Sequence, residues 1–230
     1  MHPDTPRPDD TSHSDRPTPP PLIRVDDVSV TVGPSTVLAP TSLNVEPGRI
    51  VALRGENGSG KTTLLRTIAA RTRPTTGRVT IGGRTVDERN PRFRRRVAAM
   101  IGLPPLAADL TVGDHVALVA STWEANRSAV DAATDQVLDA FDLHTVASRF
   151  PHELSSGLTQ LLGLALVFVR PFDVLLLDEP EQRLDPGRID RVVQAMRVRR
   201  GEGAAIVVAT HSSDLAARTA DRTVTLTART

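Results

Sequence analysis

The fold is decided by the stretch Gly55-Glu56-Asn57-Gly58-Ser59-Gly60-Lys61-Thr62-Thr63. An apolar run, Ile50 to Leu53, precedes it and predicts a strand, and a segment rich in Leu, Ile and Ala follows it and predicts a helix. A glycine-rich loop between a strand and a helix is typical of a phosphate-binding P-loop. Its backbone N–H groups can turn around phosphate oxygens, and the helix dipole favours negative charge there. The stretch predicts a site for a nucleoside triphosphate.

Two side chains distinguish this loop from an ordinary turn before a helix. Lys61 is the single lysine of the chain, in which the other basic residues are arginines. We expect its ammonium group to neutralise the β- and γ-phosphates and the Thr62 hydroxyl to reach Mg²⁺. A turn with no ligand would not require either residue at these places.

A second motif is the apolar run Val174 to Leu177, which ends in Asp178 and Glu179. The carboxyl ends of parallel strands face the ligand crevice of an α/β sheet. Asp178 is therefore a candidate to hold Mg²⁺ through water, and Glu179 to polarise an attacking water. Taken alone, such a pair is also common as a solvated strand end.

A third motif, Leu154-Ser155-Ser156-Gly157-Leu158, precedes a strongly apolar segment. Taken alone, Ser-Ser-Gly before a helix is an N-cap. Its place shortly before the acidic strand favours a functional interpretation.

The rest of the chain divides by composition. Residues 1–21 contain seven prolines and almost nothing to bury, which predicts a disordered tail. Residues 22–230 predict one domain in which apolar strands alternate with helices, as in a mostly parallel sheet covered on both faces. Helical periodicity at about 108–170 predicts a helical insertion.

Composition excludes several classes of protein. There is no cysteine, and thus no disulfide framework or thiolate metal site. The longest strongly apolar stretch, Leu161 to Val169, is far shorter than the roughly 20 residues of a membrane-spanning helix. A net charge of +1 and an aromatic content of 3% argue against nucleic acid as a partner.

Together, these motifs resemble the ATP-binding-cassette (ABC) ATPases over about nine-tenths of the chain, from Ile23 onward. Gly55 to Thr62 resembles the Walker A loop, 154–158 the signature motif and 174–179 the Walker B strand with its catalytic glutamate. Pro180 to Asp185 resembles the D-loop, and Thr210-His211 the switch histidine. The resemblance implies an α/β P-loop NTPase fold with an N-terminal antiparallel β subdomain and an inserted α-helical subdomain.

The resemblance also implies a mechanism and partners. ATP and Mg²⁺ bound at Walker A of one subunit would be covered by Ser155, Ser156 and Gly157 of another, in a homodimer or heterodimer. Glu179 would act as the base and His211 would contact the γ-phosphate. ATP binding would close the dimer and hydrolysis would reopen it, and a transmembrane permease subunit would use this motion. The resemblance thus places the chain on the cytoplasmic face of a bacterial cell membrane. Phe150 to Glu153, a short segment before the signature motif, favours an exporter-type cassette.

Three positions depart from the family pattern. Gly102 stands where the Q-loop glutamine is expected, Val32 near the usual adenine-stacking aromatic residue, and Ser156 in place of the first signature glycine. Slow or partner-dependent turnover is the expected consequence. A catalytically weak regulatory subunit and a soluble, non-transport ABC ATPase are the alternatives.

The run Arg92 to Arg96 fits a solvated face, or contact with a membrane subunit or lipid headgroups.

Overall fold

The computed structural model of the chain describes residues 20–227. Most of the predicted tail at 1–21 lies outside the described residues. The strands are β1 (Ile23–Val32), β2 (Ser35–Val45), β3 (Ile50–Arg54), β4 (Thr76–Ile81), β5 (Arg84–Thr85), β6 (Val97–Met100), β7 (Val174–Asp178), β8 (Ala205–Ala209) and β9 (Arg222–Thr225). The helices are α1 (Lys61–Ile68), α2 (Pro91–Arg96), α3 (Val112–Ser121), α4 (Arg127–Ala140), α5 (Ser156–Phe168), α6 (Pro186–Gly201) and α7 (Ser213–Thr219).

The strands form two sheets. β2, β1, β4 and β5 lie side by side in an antiparallel sheet that carries the N-terminal part of the described chain. The other sheet has the order β6-β7-β8-β3-β9, and all its neighbours are parallel. The predicted α/β fold, with a parallel sheet and an antiparallel N-terminal sheet, is confirmed.

Strands β6, β7, β8 and β3 of the parallel sheet are buried on both faces, which explains why they are apolar throughout instead of alternating, whereas the edge strand β9 is mostly exposed. In β3, Ile50 and Ala52 pack in one hydrophobic cluster with helices α3 to α6. Val51 and Leu53 point the other way and pack with α1 and the antiparallel sheet. The period of two along a strand thus places one sheet between two cores.

Helices α3, α4 and α5 lie within the predicted insertion at 108–170. The start of α3 is fixed by a capping box, in which the Thr111 hydroxyl accepts from the Asp114 backbone N–H. In return, the Thr111 hydroxyl and backbone N–H donate to the Asp114 carboxylate. These hydrogen bonds hold the pKa of Asp114 below its ordinary value.

We expect Phe141→Ala to lower the free energy of unfolding by about 3–5 kcal/mol, because truncating a buried phenylalanine leaves a cavity. The Phe141 side chain is fully buried at the end of α4, and its ring meets Phe168 edge to face with 5.2 Å between centroids. Urea denaturation measures the change. Leu118→Ala, at a side chain that is 56% exposed in α3, is the matched control and should have little effect. Equal losses in both variants would contradict this account of the core.

Candidate functional site

The P-loop (Gly55 to Thr62) joins the carboxyl end of β3 to the start of α1, at the edge where all five parallel strands end. Gly60 has φ +96°, and a Cβ there would lie 2.8 Å from Leu38 Cδ1 and 2.9 Å from the Val37 carbonyl oxygen. Only glycine fits both the left-handed backbone and the close approach of β2. The loop is therefore fixed by local backbone geometry and by contact with the antiparallel sheet.

Helix α1 begins differently from the other α-helices that the structure describes. Helices α2 to α7 each start with a side-chain cap, supplied in turn by Asn90, Thr111, Asn126, Ser155, Asp185 and Ser212. Gly60 at the start of α1 provides no side-chain hydrogen bond. The first N–H groups of α1 remain available, with the positive end of the helix dipole, for an anion.

Lys61 adds the positive charge of this site. Its ammonium group donates to the carbonyl oxygens of Gly55 at 2.8 Å and Glu56 at 3.0 Å, and the residue is only 6% exposed. Among residues 20–227 no carboxylate lies within ion-pair distance of it. A buried ammonium group held by neutral carbonyl groups is poised to exchange them for phosphate oxygens.

Thr62 and Asp178 bring together two oxygen ligands from neighbouring elements. The Thr62 hydroxyl, in the first turn of α1, donates to Asp178 Oδ2 at 2.7 Å across the end of β7. A hydroxyl and a carboxylate beside a phosphate site are the hard oxygen donors that Mg²⁺ prefers. The two residues therefore fit the metal site that the sequence predicts.

Glu179 follows directly at the end of β7, next to the end of β8. The strands pair so that Asp178 lies opposite Ala209, and the Glu179 N–H donates to the Ala209 carbonyl at 2.8 Å. His211 Nε2 lies 3.1 Å from Glu179 Oε1, and the Gln182 amide donates to Oε2. Strand pairing thus brings the candidate base and the candidate switch histidine together.

The signature segment lies apart from the P-loop of the same chain. Ser155 caps α5 by accepting from the Leu158 N–H at 3.3 Å, and Ser156 is exposed in the first turn. Among the described residues, no hydrogen bond joins this segment to the P-loop. Ser155 uses its hydroxyl to cap α5, whereas the exposed Ser156 remains free to face another molecule.

Three further polar residues near Glu179 make contacts that the sequence does not predict. Gln160 is buried in α5 and its amide donates to the carbonyl oxygens of Glu179 and Pro180. The Thr210 hydroxyl donates to the carboxylate of Glu181, and Gln182 contacts Glu179. The only sequence signal for Gln160 is a polar residue at the start of an otherwise apolar helix face. Thr210 and Gln182 fall within the segments that resemble the switch histidine and the D-loop, but nothing local predicts these contacts.

Two of the departures from the family pattern lie at exposed positions. Gly102, two residues after β6, is exposed with φ +81° and presents no side chain to the site. Val32 is 65% exposed at the end of β1. Neither position supplies the polar or aromatic group that the resemblance leads one to expect there.

Comparison with known proteins decides the family. A family model described as ABC transporter matches residues 38–182, more than half of the chain. The chain belongs to the ABC transporter family. This ABC ATPase is 38% identical over 213 residues to an anion import ATP-binding protein of Haloferax volcanii, and the match covers 84% of this chain and 73% of the relative.

Other relatives of this ABC ATPase are longer than the chain. It is 37% identical to a 2-aminoethylphosphonate import ATP-binding protein of Salmonella typhimurium, over 71% of the chain but only 44% of that protein. A solved ATP-binding subunit of an ABC transporter superposes with a TM-score of 0.81 at 29% identity, covering 89% of this chain and 85% of that one. A dimeric ATP-binding cassette bound to ADP and Pi superposes at 0.79 and 22% identity, covering 89% and 94%, and shows the shared fold.

The backbone constraint at the P-loop of the ABC ATPase can be tested by Gly60→Ala. Given φ +96° and two contacts below 3.0 Å, we expect the free energy of unfolding to fall by about 1–3 kcal/mol and ATP binding to weaken. Gly201→Ala is the matched control, since a Cβ at the end of α6 meets nothing within 4 Å. That variant should be neutral or slightly stabilising. A Gly60→Ala protein as stable as Gly201→Ala would refute the constraint.

Proposed function

We propose that this ABC ATPase is the motor subunit of a membrane importer, in which two ATP-binding subunits clamp ATP and Mg²⁺ between them. The observation that carries the proposal is the division of the site over two surfaces. Lys61, Thr62, Asp178, Glu179 and His211 meet at one edge of the sheet, whereas Ser155 to Gly157 lie at the start of another helix. A head-to-tail pair would bring the two surfaces together, with either a second copy of the chain or a related subunit.

The residues support each step of hydrolysis. Lys61 and the uncapped N-terminus of α1 bind the phosphate groups. Thr62 and Asp178 would hold Mg²⁺, which would neutralise charge that develops on the phosphate oxygens. Glu179 takes the proton from the attacking water, and His211, 3.1 Å from its carboxylate, fixes the orientation of that group and lies ready to contact the γ-phosphate.

The direction and membrane location come from the relatives. Several are named as import ATP-binding proteins, for an anion, for 2-aminoethylphosphonate and for methionine. These names favour import over the exporter-type cassette suggested by Phe150 to Glu153. No helix of residues 20–227 is long and apolar enough to cross a membrane. From the names of these relatives, we propose that the chain binds the cytoplasmic face of the membrane through a separate permease.

The deciding experiment reconstitutes the chain with a candidate permease subunit in membrane vesicles. We expect Mg²⁺-dependent phosphate release that the permease stimulates, and substrate movement toward the side that carries the ATPase. Movement in the opposite direction would replace import by export. ATP binding with no hydrolysis in any pairing would favour the regulatory subunit that the missing side chain at Gly102 suggests. Equal hydrolysis with and without any permease would favour a soluble ATPase.

A further inference from the structure

The first two turns of α5 lie directly against the main chain that follows Walker B. Gln160 is 4% exposed, and its Nε2 donates to the carbonyl oxygens of Glu179 at 3.3 Å and Pro180 at 3.2 Å. A buried amide with two acceptors satisfies groups that water cannot reach. The side chain therefore joins the helix of the signature segment to the backbone of the candidate base.

A second contact fixes the same two segments one turn earlier. A Cβ on Gly157 would lie 2.7 Å from the Arg183 carbonyl oxygen, so α5 approaches the D-loop more closely than any side chain would permit. The carbonyl groups of Glu179, Pro180 and Arg183 thus all face α5. The signature segment and the D-loop are packed as one unit.

Glu179 needs such support because its backbone is in an unfavourable conformation. Its φ is +49°, in the left-handed region that residues with a Cβ rarely adopt. On one side its N–H donates to the Ala209 carbonyl at 2.8 Å, and on the other its carbonyl oxygen accepts from Gln160. In this conformation the carboxylate lies 3.1 Å from His211 Nε2. The Glu179 carbonyl oxygen also accepts from the Gln182 backbone N–H at 3.1 Å, and the Gln160 amide is the contact that ties it to α5.

We propose that Gln160 is a positioning residue that holds Glu179 in its catalytic geometry and couples it to the signature segment of the same chain. This inference rests on the proposed function, in which Ser155 to Gly157 cover the ATP bound to the other subunit, and Glu179 acts on the ATP bound to its own subunit. A shift of α5 when the other subunit binds ATP moves Gln160, and with it the main chain of Glu179. Occupancy of one ATP site is thereby transmitted to the catalytic base of the other.

The test is Gln160→Leu, which keeps a buried side chain of similar size in α5 but donates no hydrogen bond. We expect kcat for ATP hydrolysis by the complex with its permease to fall by about tenfold to a hundredfold, because a small misplacement of a catalytic group is that costly. KM for ATP should change by less than about twofold, since Lys61 and α1 are untouched. Gln136→Leu, at an exposed glutamine of α4, is the matched control and should leave both constants unchanged.

Gln160→His provides a rescue, because its ring N–H can reach a similar position, and kcat should recover in part. If leucine prevents folding, Gln160→Met, unbranched and without a donor, takes its place in the same comparison. Wild-type kcat in the leucine or methionine variant, or a loss confined to KM, overturns the inference. A wild-type complex that hydrolyses no ATP overturns the proposed function instead, so the two failures are distinguishable.

Discussion

Replacing Glu179 with glutamine is expected to lower kcat for ATP hydrolysis by about 10²–10⁴-fold, the usual contribution of a general base. The amide keeps the size of the side chain and its hydrogen bond to His211, but it cannot take a proton from water. The P-loop contacts of Lys61 and Thr62 remain, so ATP should still bind. Single-turnover phosphate release gives the rate, and gel filtration with ATP and Mg²⁺ should reveal an accumulated dimer.

The control for this variant is Glu88→Gln, which removes the charge of an exposed glutamate before α2. It should hydrolyse ATP at the wild-type rate. If Glu179→Gln also retains that rate, the base is another carboxylate. Glu181 would then be the first candidate, because its carboxylate accepts from Thr210, next to His211.

The sequence predicts those parts of the site that depend on a short stretch of chain. The P-loop combines its glycines, Lys61 and the adjacent strand and helix within a few residues, and chemistry alone assigns it to phosphate. Asp178 and Glu179 stand out for the same reason, because carboxylates end an apolar strand. These local signals were enough to predict the fold class, and the resemblance added the antiparallel sheet.

The order of the strands and the contacts between segments could not be predicted in this way. Nothing near His211 shows that β8 lies between β7 and β3, which is what brings the histidine to Glu179. The hydrogen bonds of Gln160 depend on how α5 packs on the D-loop, and a polar residue at a helix start has many other uses. The positive φ of Glu179 has no sequence signal, since the residue type that usually adopts it is glycine.

The phosphate site can be tested at Lys61, which is the only lysine of the chain, so that no other lysine side chain can take its place. We expect Lys61→Met to weaken ATP binding by about tenfold to a hundredfold, which corresponds to the roughly 1.5–3 kcal/mol of a hydrogen bond to a charged group. Methionine keeps an unbranched, buried side chain but donates nothing to the β- and γ-phosphates. Titration with a fluorescent ATP analogue measures the dissociation constant.

Two further variants separate charge from shape in this test. Arg66→Met removes an exposed cation from the last turn of the same helix and should bind ATP as the wild type does. Lys61→Arg keeps the charge, but its planar guanidinium is larger and does not replace the compact ammonium that Gly55 and Glu56 hold, so we expect intermediate affinity. Wild-type affinity in Lys61→Met would mean that the N–H groups of the uncapped α1 bind the phosphates without help. In that case, the retention of a lysine at this one position of an arginine-rich chain would need another explanation.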